Sequence, residues 1–241
     1  MNGLILFIGE SFRIGGQCTR NRGSAVSHDA QILACNSHIS FIDHIIQKFN
    51  LNSVSVFISS YTTQYDNELL KIYNKYLIGQ NYYGDVIGLN NLFHNSINKV
   101  INPDKYDFIL YIRIDLYLKT EFLNVFNPTI NTILFPTICW FKGCKTYGND
   151  PRVNDMLIFI PKKYYKYINH IIIGHNTWHD LIKTTCLTYN DMDTIINTYH
   201  DSDSEKDYNP LYYIVNRSES TIWRSAGEIF NKKSAIFNSN I

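Results

Sequence analysis

The sequence predicts an α/β protein, a Rossmann-like, mixed but mostly parallel sheet flanked by helices. Two observations carry the prediction. Short β-branched or apolar runs alternate with longer stretches whose apolar residues recur at helical spacing. The run 108–112 is apolar throughout, as a central strand covered on both faces must be. A length of 241 residues suits a single domain over 1–241, and no repeat, low-complexity block or linker divides it.

Residues 4–8 read as the first strand. It ends at Gly9 and opens into a polar segment carrying Ser11, Arg13, Gly15, Gly16, Arg20 and Arg22, the kind of strand-to-loop exit where α/β folds place ligands. Ile32, Ile39, Ile42, Ile46 and Phe49 share one stripe, which predicts a long helix over about 29–49. Residues 54–58 form the next strand, stopped by Ser59 and Ser60, and right-handed crossover makes it parallel to the first. Helices are expected over 67–77 and 90–101, the second closed by Pro103. The central strand 108–112 runs straight into Arg113-Ile114-Asp115. Beyond it, 132–135 and 156–160 read as strands, and Pro161 suits the first turn of a helix reaching Ile171. Helical patches follow at 177–185 and 192–199, then a charged loop at 200–209 and a late strand at 211–215.

Composition excludes several classes. Hydrophobic residues at 45% and charged residues at 18% describe a globular chain. A net charge of +1 predicts none of the concentrated basic surface that a nucleic-acid partner requires. The apolar run 4–8 is far too short for a signal-peptide core or a membrane span, so no span is expected. Five cysteines without a tight repeating spacing read as free thiols in a reducing compartment. A dinucleotide oxidoreductase would show Gly-x-Gly-x-x-Gly after the first strand, and a P-loop enzyme its Gly-Lys-Ser/Thr; neither occurs. An aspartyl phosphatase would want Asp at position 117, which is Tyr.

Arg113 and Asp115, two apart at a strand exit, point to the same side while Ile114 points to the other. Such a carboxylate can hold a divalent metal that neutralises a diphosphate. Equally, the two residues can close the strand end as an ion pair. Asp155, just before a strand, is placed to take a proton from an attacking hydroxyl, or simply to cap the turn into Met156.

The run from Tyr106-Asp107 through the apolar strand to Arg113-Ile114-Asp115-Leu116 resembles the signature of a glycosyltransferase-like family with a GT-A-type fold, common in giant viruses and microbial glycan gene clusters. The opening Leu6 to Arg13, the Val56-Phe57-Ile58 strand, the helix before Pro103 and Asn154-Asp155 agree with it in order, so the resemblance spans about residues 3–168. It implies transfer of a sugar from a nucleotide-diphosphate sugar to a hydroxyl acceptor in glycan synthesis, and a cytoplasmic location, in a viral setting the host cytoplasm or the virion. Gly9, Arg13, Arg113 and Asp115 would then hold the donor, and Asp155 would be the base. Mn²⁺ or Mg²⁺ would sit at Asp115 with a late histidine, His179 first and His200 second. The family's usual Asp-x-Asp is here Arg-x-Asp, which leaves one carboxylate for the metal and lets Arg113 clamp a phosphate itself. That departure keeps a second expectation open, a sugar- or nucleotide-binding protein of the same fold without turnover.

Overall fold

The computed structural model describes residues 1–12, 26–100, 102–139, 152–153, 156–171, 173, 178–196 and 211–214. Its first half is a repeating strand–helix unit. Strand β1 (Asn2–Gly9) leads to the long helix α1 (Val26–Phe49), then β2 (Ser53–Tyr61), α2 (Asp66–Tyr73), β3 (Leu77–Tyr83), α3 (Leu89–Lys99) and β4 (Phe108–Arg113). After β4 the elements shorten: β5 (Leu116–Leu118), α4 (Thr120–Val125), β6 (Ile133–Cys139), β7 (Arg152–Val153), β8 (Leu157–Pro161), α5 (Trp178–Thr184), β9 (Met192–Ile196) and β10 (Tyr212–Ile214).

The main sheet has the order β3-β2-β1-β4-β8-β6-β7, with β9 also paired to β6. Strands β3, β2, β1 and β4 are mutually parallel, β8 is antiparallel to β4 and β6, and β9 is parallel to β6. The sheet is therefore mixed and mostly parallel, as expected. Strands β5 and β10 form a separate antiparallel pair.

Alternate residues of the central strands feed two cores. Ile5, Phe7, Val56, Ile58, Leu110 and Ile112 pack beneath α1 with Phe41, Ile42 and Ile45. Leu4, Leu6, Ile8, Phe57, Ile109 and Tyr111 pack on the opposite face with Leu92, Phe93 and Ile97 of α3. Both faces of β1 and β4 are thus covered, which is why these strands carry no polar alternation.

Beyond the short β5, α4 and β7, which the sequence reading did not name, three elements differ from it. Residues 192–196, expected to be helical, are strand β9; a β-branched Thr194-Ile195-Ile196 run finds the open edge of β6, and pairing overrides a mixed periodicity. Strand β3, unforeseen, begins where the second helix was expected to continue, because its half-exposed edge position gives no clean alternation. Residues 162–170 are 3₁₀ rather than α-helical; Tyr164, Tyr165, Tyr167, Ile168, Asn169 and His170, six of its nine residues, are middling helix formers.

Candidate active site

The chain steps from β1 outward to β2 and β3, then returns to place β4 on the other side of β1. Between the carboxyl ends of β1 and β4 the two connections therefore leave in opposite directions, the kind of switch point at which open α/β sheets bind ligands. Gly9 and Arg113 end the two strands that flank it.

At the β1 side, Gly9 adopts φ 123° and Phe12 φ 53°. For a bulky residue such as Phe12 the left-handed region is a strained conformation, held only where surroundings over-determine it. Here they do. The Phe12 ring is fully buried against His28 and Tyr65, with centroids 5.4 and 5.2 Å away, and its N–H donates to Gln31 Oε1 at 3.4 Å. Ser11, also fully buried, shares a hydrogen bond with Ser60 at 3.0 Å.

On the β4 side, Arg113 and Asp115 form a bidentate pair. Nε donates to Oδ1 at 3.0 Å and Nη2 to Oδ2 at 2.5 Å, while Nη1 reaches Met156 Sδ at 3.2 Å. The side chains are 7% and 1% exposed, so both charges have left water. Ile114 lies between them in the core beneath α1, and its N–H donates to Ile8 O at 3.0 Å.

The strand register continues the site across the sheet. Arg113 lies beside Ile8, Ile8 beside Ser59, and Ser59 beside Asn81, all on the α3 face. Ser59 Oγ and Asn81 Nδ2 are buried without a hydrogen-bond partner. Buried polar atoms in that state are uncommon and call for an explanation such as a ligand. The sequence offered Ser59 only as a strand end and gave no signal for Asn81, because β3 itself was illegible.

Along the other face runs a polar stripe of α1. Gln31 Nε2 donates to Ile114 O at 2.7 Å, and His38 Nε2 lies 2.6 Å from Leu116 O. A carbonyl can only accept, so Nε2 carries the proton. Complete burial lowers the His38 pKa from 6.5 to about 3, so the ring is neutral and Nδ1 accepts from Tyr73 OH at 2.6 Å. Neighbouring Cys35 is fully buried, and desolvation pushes its thiol up to about 11. Cys35 and the exposed Cys186 are free thiols, as expected. Nearer the surface, His28 sits between Asp29 and Glu68, each 3.0 Å from a ring nitrogen, and its pKa is raised chiefly by the bond to Asp29.

Of the residues singled out in the sequence, Gly9, Arg113 and Asp115 come together at the adjacent carboxyl ends of β1 and β4. Arg13, Asp155 and His200 lie outside the described residues, and His179 falls in α5 with its side chain likewise outside them. No protein-family model matches the sequence, and no curated protein does.

Solved structures do resemble the fold. A nucleotide-diphospho-sugar transferase from Desulfovibrio desulfuricans G20 aligns at a TM-score of 0.44 and 14% identity, covering 84% of this chain and 82% of its own. The catalytic domain of Drosophila β1,4-galactosyltransferase 7, complexed with xylobiose, aligns at 0.47 and 11% identity over 90% and 72%. Staphylococcus aureus TarS 1-349 aligns at 0.46 and 13% identity over 88% and 60%.

As Arg113 and Asp115 are paired, the described residues leave a divalent metal no free carboxylate oxygen at Asp115. Both carboxylate oxygens already accept from Arg113, and among the described residues no group of three or more His, Cys, Asp or Glu is gathered to hold an ion. Mg²⁺ and Mn²⁺ favour octahedral oxygen ligation, and a carboxylate clasped by a guanidinium has little to offer it.

Proposed function

We propose that this chain is a nucleotide-sugar-dependent glycosyltransferase with a GT-A-like domain over 1–241, moving a sugar from a nucleotide-diphosphate sugar to a hydroxyl acceptor in glycan synthesis. The observation that carries this reading is the β1/β4 switch point, bounded by Gly9 and the Arg113–Asp115 pair, with the unpartnered Ser59 and Asn81 beside it along the sheet. Bare backbone at Gly9 lets a ligand approach closely. Ser59 and Asn81 offer it hydrogen bonds, and Arg113 and Arg13 supply positive charge toward the diphosphate.

In the reaction, the acceptor oxygen attacks the anomeric carbon as the bond from that carbon to the diphosphate breaks. The hydroxyl proton passes to Asp155, and the nucleoside diphosphate leaves with the electron pair. Cationic stabilisation of that leaving group is the main task of the site, and Arg113, held by Asp115, contributes to it. The proposed setting is the cytoplasm, for a viral chain the host cytoplasm or the virion. No helix among the described residues is long and apolar enough to cross a membrane.

The test is calorimetric titration with UDP-, GDP- and TDP-sugars, followed by release of nucleoside diphosphate in the presence of hydroxyl acceptors. Binding by one nucleotide class, weakened in Asn81→Ala, together with turnover, is the expected result. Absence of binding by every donor overturns the reading. One observation favours a second reading, a binding protein without turnover: Asp115, the one carboxylate of the Arg-x-Asp motif, is fully engaged. Donor binding without hydrolysis or transfer to any acceptor would select it.

A further inference from the structure

Where the chain passes from β4 into β5 it changes sheets, and β5 pairs with β10 along one edge, so the peptide groups on its other edge need partners that no strand provides. Helix α1 supplies them from its side chains. Gln31 Nε2 donates to Ile114 O at 2.7 Å, His38 Nε2 to Leu116 O at 2.6 Å, and Leu118 N donates to Ser37 Oγ at 3.0 Å. Residues 114, 116 and 118 are thus gripped in turn, as a strand edge would be. The first two carbonyls belong to the residues on either side of Asp115.

Gln31 and His38, with Cys35 between them, recur at i, i+4 and i+7 on one stripe of α1, and all three are fully buried. Apolar side chains would fill this space without desolvating an amide and an imidazole. The His38 ring is further fixed by stacking on Phe7, 4.3 Å away at 17°, and by the Tyr73 hydroxyl at 2.6 Å.

We infer that Gln31 and His38 are positioning residues: by holding the carbonyls on both sides of Asp115, they fix the carboxylate that orients the Arg113 guanidinium at the β1/β4 switch point. Neither touches the ligand. Gln31 also accepts from Phe12 N–H, so the same amide ties the β1 exit to the β4 exit. The consequence for donor binding rests on the glycosyltransferase reading; the consequence for Arg113 does not.

The test separates the two. The Arg113 Nε–H resonance, identified by its loss in Arg113→Lys, reports the bidentate pair in a heteronuclear correlation spectrum, and calorimetry reports nucleotide-sugar affinity. Gln31→Met and His38→Phe keep volume but lose the donors, whereas His38→Gln keeps one. Loss or displacement of the Arg113 resonance is expected in the first two, with affinity about tenfold or more weaker, and near wild-type behaviour is expected in His38→Gln. Should Gln31→Met or His38→Phe not fold, Tyr73→Phe, which only frees the His38 ring, is expected to give a smaller displacement. A wild-type Arg113 resonance in the folded variants overturns the inference, as does wild-type affinity alongside a displaced resonance. A wild-type protein that binds no nucleotide sugar, yet whose Arg113 resonance responds as expected, overturns the donor reading and leaves the positioning role standing.

Discussion

Strands β1 and β4 run side by side, yet their two ends are built on opposite principles. At the amino end the polar groups are exposed: Asp107 accepts from Asn2 N–H at 2.6 Å, and Asn2 Oδ1 accepts from Ser53 at 3.1 Å. At the carboxyl end a full ion pair is buried, and Ser59 and Asn81 keep polar atoms from water without partners. Exposed contacts of the first kind cost little and specify little. Burying two charges is costly, and an apolar pair of the same volume would often be as stable or more so. The buried ion pair is an energetic burden that folding alone does not require, and it supports the site proposed at the carboxyl edge.

Substituting one partner of each kind sharpens that contrast most. Asp115→Ala removes the bidentate carboxylate partner of the buried Arg113 and is expected to cost about 3–5 kcal/mol in urea unfolding, whereas Asp107→Ala is expected to cost at most about 1 kcal/mol. The double replacement Arg113→Met with Asp115→Leu should recover most of the loss while abolishing nucleotide-sugar binding. Recovery of both stability and binding would break the comparison.

Two glycines extend it. A Cβ at Gly3, on the amino side, would lie 2.3 Å from the Phe108 ring, and at Gly9 the φ of 123° itself disfavours a side chain. Each alanine variant is expected to lose about 1–3 kcal/mol. Only Gly9→Ala should also weaken donor binding, measured by calorimetry.

Acid provides a milder probe. His38 is held neutral, its folded pKa near 3 against 6.5, so protons favour the unfolded chain. Its contribution is complete above pH 6.5 and declines as pH falls toward 3; His38→Gln should flatten that part of the stability profile. His28 acts in the opposite sense, its raised pKa giving stability below 6.5 that disappears as pH rises through the folded value. Being partly exposed, it should contribute less. Smallest of all, chelator or added Mn²⁺ is expected to leave the melting temperature unchanged, since Arg113 already occupies the Asp115 carboxylate; a metal-dependent rise would show that the pair opens.

How legible all this was varied along the chain for physical reasons. The strand–helix–strand units of the first half announced themselves because local apolar spacing and covered strands write directly into sequence. Strands β3 and β9 did not, since an edge strand owes its existence to a neighbour's unpaired backbone rather than to its own pattern. Arg113 and Asp115 were readable as a unit from their spacing, but spacing left two outcomes open, and only the rotamers show the guanidinium closed on the carboxylate. Gln31 and His38 read as ordinary members of a long helix.

By itself, the sequence determined the alternating α/β order, the central apolar strand and the presence of a cation and a carboxylate at its exit, because each depends on residues within a few positions of one another. Tertiary structure alone decided that this exit faces Gly9, Ser59 and Asn81 and that an amide and an imidazole more than 75 residues earlier hold its carbonyls. Those relations pass through strand order and register, and the free energy that fixes them comes from contacts between segments that carry no mark of each other.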